Sequence, residues 1–447
     1  MPMARPTPDK VQALQQTLYR AAKADPTRRF HALYDKGYRG DVLERAWDQV
    51  RRNRGAAGVD RTTVTAVQAY GVTRLLAELA QELQTHTDRP LPARRVWIPK
   101  PGSAEQRPLA IPAVRDRIVQ AALQWVLEPV FEADFRPASF GFRPQRAAHD
   151  ALQVLLDETF RGWRWVMETD IAHCFDAIPH DGLVAAVARR VSDRHVLALV
   201  RWFLRAGVME AGGLAHPAAG TPQGGVMSPL LCNVYLHALD QAWEQHATGR
   251  LVRYADALVV VAPTERAAYA ALQRVTETLH TLGLAPKAEK TRVVHLTVGG
   301  DGFDFRGFHH RWVKAHGRTG AKRVEFLARW PSPRAMQHAR DRLQALTARS
   351  RLRVAPPTVI QDINAFLRGW AAYFRIGNST RMFDKMERYA VIRVAGFIAK
   401  RHRQRARYGW RVLRTAPDRL GLLTLHGLVV APRPNRPWRG LVAAHRR

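Results

Sequence analysis

The sequence predicts an α+β region followed by an all-helical one, and three observations carry that reading. Up to about residue 330, short alternating apolar runs bounded by Gly and Pro interleave with longer segments of three-four apolar spacing. Beyond Trp330 only the three-four spacing continues. The charge shifts at the same place. The 447 residues hold 70 Lys+Arg against 38 Asp+Glu, a formal net charge of +32. From Pro331 onward 25 Lys+Arg face 5 Asp+Glu, so +20 of that excess lies in the helical part.

Each element has a local reason. Val42, Leu43, Ala46 and Val50 recur at helical spacing over Asp41–Val50, and the glycines of RNRGAAGVD (52–60) end that helix. A second helix covers Val72–Gln84. RRVWIPKP (94–101) alternates and is rich in strand formers, ending at the Pro101-Gly102 turn, and Arg107–Pro112 reads as the return strand. Ile118–Phe131 and Ala147–Phe160 read as helices, Trp165–Ile171 as a strand and Gly182–Val191 as a helix. Gly220–Gly225 is a Gly/Pro loop opening a long apolar helix through Leu239. Leu251–Ala262 is a strand pair around the turn Tyr254-Ala255-Asp256-Ala257, followed by a helix through Leu282. In the helical part Ile360, Ile363, Phe366, Leu367, Trp370 and Phe374 form one apolar stripe. Arg381–His402 is a further helix, ending in KRHRQRAR (400–407). GRTGAKR (317–323) reads as a polar linker and sets a domain boundary near 310–330. Arg411–Arg447 is Pro/Arg-rich with short β-like pieces.

Composition bounds the function. A chain that is 46% hydrophobic can bury a core, which a disordered basic tail cannot. A net charge of this size points to a polyanion that releases counterions on binding. No apolar run approaches the ~18 residues of a spanning helix, and the start, MPMARPTPDK, lacks the apolar stretch of a signal peptide. Two cysteines, Cys174 and Cys232, build neither a structural zinc cluster nor a disulfide framework. The expectation is a cytosolic, reduced nucleic-acid-binding protein with no membrane partner.

Two carboxylates stand where chemistry is plausible. Nucleotidyl transfer uses two divalent cations about 3.5–4 Å apart, held by carboxylates from separate backbone elements that converge. Asp170 ends one predicted strand, and Asp256 sits in the turn between two others. The loop Gly220-Thr221-Pro222-Gln223-Gly224-Gly225 lets backbone approach a ligand closely. Lys100 and Arg107 flank the early hairpin turn, where cations could hold a triphosphate.

In this order the motifs resemble those of reverse transcriptases, and more narrowly the group II intron-encoded reverse transcriptase/maturase. The resemblance rests on Asp170 with Phe175-Asp176, TPQGGVMSPLL (221–231) and Tyr254-Ala255-Asp256. It also rests on RNRGAAGVD, on VWIPKPGSAEQRPLAIPAVRDRIVQAAL (96–123) and on SFGFRPQRAAHDAL (139–152). GLAPKAEKTRVVHL (283–296), FDFRGF (303–308) and FLRGWAAYFR (366–375) complete it. It spans about residues 40–410. The fold it implies is a right-hand polymerase. The chain would divide into an N-terminal extension with the first fingers helices (1–90), fingers (91–163), palm (164–310), a helical thumb or maturase domain X (311–410) and a basic tail (411–447).

Carried over position by position, the resemblance makes Asp170, Asp256 and the Ile171 carbonyl ligands of two Mg2+ ions. Phe175 becomes the steric gate against a ribose 2′-hydroxyl, and Gln223 and Gly224 the loop beside the incoming base. Lys100 and Arg107 become the triphosphate clamp, and Lys290 the lysine beside the nucleotide. Structured intron RNA, target DNA and dNTP are the implied partners, with association to the nucleoid when target DNA is bound. Lys400, Arg401, Arg403, Arg405 and Arg407 are read as phosphate contacts. Two departures stand out. The family turn reads Tyr-Ala-Asp-Asp, whereas Ala257 occupies its fourth position here, which predicts strongly impaired polymerisation. Ala257 reads either as introduced to silence the enzyme or as a natural variant that keeps RNA binding. Beyond Trp410 the only histidines are His426 and His445 and there is no Cys, too few ligands for the HNH nuclease of many relatives. A non-catalytic splicing cofactor and a reverse transcriptase recruited to host defence are the alternatives.

Overall fold

The computed structural model describes residues 9–99, 106–210, 213–216, 219–245, 249–316, 323–416 and 420–439. These form eleven strands: β1 (Ala93–Pro99), β2 (Gln106–Ile111), β3 (Trp165–Asp170), β4 (Val208–Glu210), β5 (Gly213–Ala215), β6 (Arg250–Tyr254), β7 (Ala257–Ala262), β8 (Arg292–His295), β9 (Phe303–Phe305), β10 (Phe308–His316) and β11 (Arg323–Pro331). They make three sheets, ordered β2-β1-β4-β5, β6-β7-β3-β8 and β11-β10-β9.

The four-stranded β6-β7-β3-β8 sheet lies between two cores, because side chains alternate across a strand. On β7, Leu258 and Val260 face one cluster of buried residues, with Met167 of β3 and Leu251 of β6. Val259 and Val261 face the other, with Val166 and Val252. That is why LVVVA carries no polar residue: both faces are covered. The first core takes in the long helix Val114–Glu132, the helix Ser228–Gln245 and the N-terminal helices. The second joins the outer sheet face to the C-terminal helices Pro333–Leu346, Pro356–Phe374 and Thr380–Arg401. The predicted stripe is buried there at Ile360, Ile363, Leu367, Trp370 and Phe374, and burial of each such side chain contributes about 1.5–3 kcal/mol.

Most predicted elements form, with shifted ends. The helix read from Ile118 begins at Val114, and the one read to Val191 stops at Ala188. Two readings are corrected. Arg323, the last residue of the supposed linker, opens β11, which pairs with β10 from Phe308↔Pro331 to His316↔Arg323. The other linker residues, 317–322, lie outside the described residues, as does the Pro101-Gly102 turn. The segment after Trp410 begins as helix, Ala406–Thr415, rather than with β-like pieces. Further on, Leu422 and Leu425 are buried and Val430 bridges Ile376. The chain then crosses to the helix Ala148–Phe160, where the Trp438 indole donates to Asp150 at 2.7 Å and the Asn435 amide to Asp157 at 2.6 Å. No helix among the described residues is long and apolar enough to cross a membrane.

Candidate active site

Strand pairing brings the two aspartates together. β3 and β7 run antiparallel with Asp170 opposite Ala257, and the Ile171 amide donates to the Asp256 carbonyl at 2.9 Å. Ala255 turns the chain between β6 and β7 with φ +57°. Burial raises the Asp256 carboxyl above its ordinary range, and the nearby charge of Asp170 raises it further. Lys290, on a short 3-10 turn, forms an ion pair with Asp170, and the Lys287 amide donates to the Asp170 carbonyl at 2.7 Å.

The glycine loop is clamped between β2 and the short helix that follows β3. The Ala110 amide of β2 donates to the Gln223 carbonyl at 2.7 Å, and the Thr221 amide to the Phe175 carbonyl at 2.6 Å. Gly224 has φ +122°, and a Cβ there would meet the Ala110 carbonyl at 2.6 Å, so only glycine fits. Phe175 lies on the short helix Cys174–Ala177, half-buried against the first core. Arg107 is exposed on β2, opposite Ile98 of β1. Lys100 lies outside the described residues. Strand pairing and an ion pair thus join Asp170, Asp256 and Lys290, while backbone hydrogen bonds join the loop of Gln223 and Gly224 to Phe175 and to the hairpin that carries Arg107.

A buried arginine beneath the aspartate turn has no counterpart in the sequence-derived site. Arg253 is fully buried, and each of its donors finds an acceptor. Nε and Nη2 bind Asp240 at 2.8 and 2.5 Å, Nη1 binds Asn233 and the Ala255 carbonyl at 3.0 and 3.2 Å, and Nη2 also reaches Ser139 at 2.8 Å. Asn233 in turn donates to the Gly141 carbonyl at 2.8 Å. A Cβ on Gly141 would collide with the Ala255 nitrogen, so that segment packs directly behind the turn. The available signal was an arginine inside an otherwise apolar strand, LVRYADALVVV, since arginine is rarely buried unless paired. The motif RNRGAAGVD is likewise held from within. Arg94 of β1 donates to the Ala57 carbonyl at 3.0 and 2.7 Å, and Arg117 to that of Ala56 at 2.5 Å.

Cys174 and Cys232 are free and buried, with sulfurs 3.7 Å apart. The neighbouring thiol and burial push Cys174 upward, so it stays a neutral thiol. The basic run 400–407 divides. Lys400, Arg403, Arg405 and Arg407 are exposed, whereas Arg401 turns inward and donates to the Leu352 and Val354 carbonyls at 2.5 and 2.8 Å. Through these carbonyls Arg401 ties the helix Thr380–Arg401 to the segment between the helices Pro333–Leu346 and Pro356–Phe374.

Comparison with known proteins defines the class. Residues 98–328, the span holding both aspartates and the glycine loop, match the reverse transcriptase (RNA-dependent DNA polymerase) family, to which the chain therefore belongs. Residues 336–415 match the group II intron maturase-specific domain. The chain is thus a group II intron-type reverse transcriptase with a maturase domain. It is 34% identical over 357 residues to Protein YkfC of Escherichia coli (strain K12), covering 70% of this chain and 91% of that protein. The group II intron-encoded protein LtrA of Lactococcus lactis subsp. cremoris is 37% identical over 214 residues, 47% of this chain and 35% of LtrA. An uncharacterized 91 kDa protein in the cob intron of Schizosaccharomyces pombe is 36% identical over 203 residues, 45% of this chain and 24% of that protein.

Proposed function

We propose that this chain is an RNA-directed DNA polymerase that binds structured intron RNA, assists its splicing and copies it by target-primed reverse transcription. The observation that carries the reading is the convergence of Asp170 and Asp256 across β3 and β7, beside Lys290 and the clamped glycine loop.

The donor set suits a hard dication. Two carboxylates lie close enough for one to raise the other's proton affinity, a repulsion that a bound cation relieves. Asp170, the Ile171 carbonyl and Asp256 would hold Mg2+, which supplies activation of the primer 3′-hydroxyl and neutralises charge on the triphosphate. Lys290 holds Asp170 in place, and Arg107, with Lys100, would neutralise the phosphates. Phe175, half-buried on the short helix after Asp170, would gate against a 2′-hydroxyl, and Gln223-Gly224 would back the incoming base. The exposed Lys400, Arg403, Arg405 and Arg407 suit RNA phosphates.

Ala257 bears on rate. It sits directly across from Asp170 and packs toward the second core, where its methyl group neither binds metal nor accepts a hydrogen bond. Primer extension on an RNA template, run with this chain and with Ala257→Asp, tests the point. The substitution should raise the rate by one to three orders of magnitude, since ~1.4 kcal/mol of transition-state stabilisation is worth tenfold. Full activity in the unaltered chain would sink the account of the turn. Ala257 also favours a second reading, a splicing cofactor whose polymerase is silent, and absence of DNA product from both proteins would select it. In either case RNA affinity should fall steeply between 50 and 200 mM salt, by roughly a thousandfold if about six phosphates are contacted. A flat response in a filter-binding titration would remove the electrostatic argument.

A further inference from the structure

Phe142 is an anomaly of the fingers. Its large apolar side chain is 51% exposed, and its φ is +56°. The left-handed region is costly for a bulky residue, and such conformations persist where the surroundings enforce them.

The enforcing groups lie on both sides of it. The Gly141 carbonyl is held by Asn233, itself bound to Arg253 under the Asp256 turn. On the other side Arg143 is buried, with its guanidinium on Glu132 at 2.6 Å and on the Arg136 and Ser139 carbonyls at 2.7 and 2.8 Å. The backbone is therefore pinned before and after residue 142, and the ring is directed outward. The one aromatic ring it meets among the described residues is that of Phe175, edge-on, with centroids 6.3 Å apart and planes at 75°. This is a favourable aromatic geometry. Phe175 rests on the first core on its other side.

We infer that Phe142 is a positioning residue that fixes the ring of Phe175 and so sharpens discrimination between deoxyribose and ribose in the incoming nucleotide. The inference rests on the polymerase reading above and on Phe175 as the sugar gate. A pinned, strained loop holding an exposed ring against the gate keeps that gate from rotating away from a 2′-hydroxyl. The same loop reaches the aspartate turn through Asn233 and Arg253, so gate and metal-binding turn share one support.

The test uses the full chain with an RNA template and a DNA primer ended by a dideoxynucleotide, so that binding is read without chemistry. Affinities for dGTP and GTP opposite a templating cytidine are compared in the presence of Mg2+. Glycine adopts φ +56° freely, so Phe142→Gly should melt no earlier than the parent. Its dGTP-over-GTP preference should nonetheless fall about threefold to tenfold, the worth of one aromatic pair. Phe142→Tyr, which keeps the ring edge, should retain the preference. Phe175→Ala reports on the gate itself. If Phe175→Ala loses the preference while Phe142→Gly keeps it, the gate stands and the inference fails. If Phe175→Ala also keeps it, or if no nucleotide binds to any of the proteins, the reading of the site fails and the inference falls with it.

Discussion

Two buried arginines, one in each half of the molecule, are held in opposite ways. Arg253, at the end of β6, faces the carboxylate of Asp240 and satisfies every donor. Arg329, on β11 where the maturase helices meet the sheet, is 2% exposed and its guanidinium donates, among the described residues, to carbonyls alone, those of Ile376 at 3.1 Å and Leu152 at 2.8 Å. Its Nη2 finds no acceptor among the described residues, and burial pushes its guanidinium down to about 10. The difference is instructive. Beneath the aspartate turn an opposite charge offsets the desolvation of the cation, and the resulting network locks two chain segments, the helix Ser228–Gln245 and the stretch Ser139–Gly141, to the turn. At the junction of the two halves neutral dipoles offset it only in part, and the ion links elements without rigidifying a site.

The largest effect should come from Arg253→Met, which leaves Asp240 buried without its cation. Urea denaturation should show a loss of about 3–5 kcal/mol, and adding Asp240→Leu should return part of it. A cost no greater than that of Arg329→Met would break the comparison.

Asp116 extends the comparison to a buried acid with no cation bonded to it. Its Oδ2 accepts from the Leu91 amide at 3.0 Å, its Oδ1 has no partner among the described residues, and burial raises its carboxyl to about 7. The fold therefore prefers the protonated form. That contribution is fully present below the ordinary value of 3.8 and is lost as pH rises through about 7. Asp116→Asn keeps an acceptor for Leu91 and cannot ionise. It should be more stable than the parent by about 2–4 kcal/mol at pH 8, with little difference at pH 4. Equal stabilities at both values would show that Asp116 titrates normally.

Arg329→Met should cost least, about 1–2 kcal/mol, because two hydrogen bonds to neutral carbonyls are lost and the methionine fills part of the space. A loss as large as that of Arg253→Met would mean that the missing carboxylate is immaterial.

Much of this was readable in advance, and the failures have physical causes. Asp170 and Asp256 stood out because one ends an apolar strand and the other sits in the turn between two, a local pattern. The β10–β11 hairpin was missed because its alternation is diluted: Trp312 and Leu327 face the core while Lys314 and Glu325 are solvent-facing polar positions along the same strands. The helix Ala406–Thr415 was hidden by its many charges and by Gly409, which is buried against the Ala395 carbonyl. Arg401 carried the same charge as its neighbours, and only the carbonyls it reaches set it apart.

The sequence by itself determined the α+β-then-helical order, the basic C-terminal region and the candidate carboxylates, because backbone hydrogen bonding imposes periods of two and 3.6 on the apolar residues. The tertiary structure alone decided which charges turn inward. Ser139 and Asp240 lie 114 and 13 residues from Arg253, and Leu152 lies 177 from Arg329. No local period encodes such pairings. They are chosen when the chain packs, by the requirement that a charge removed from water find its partners among whatever the fold brings near.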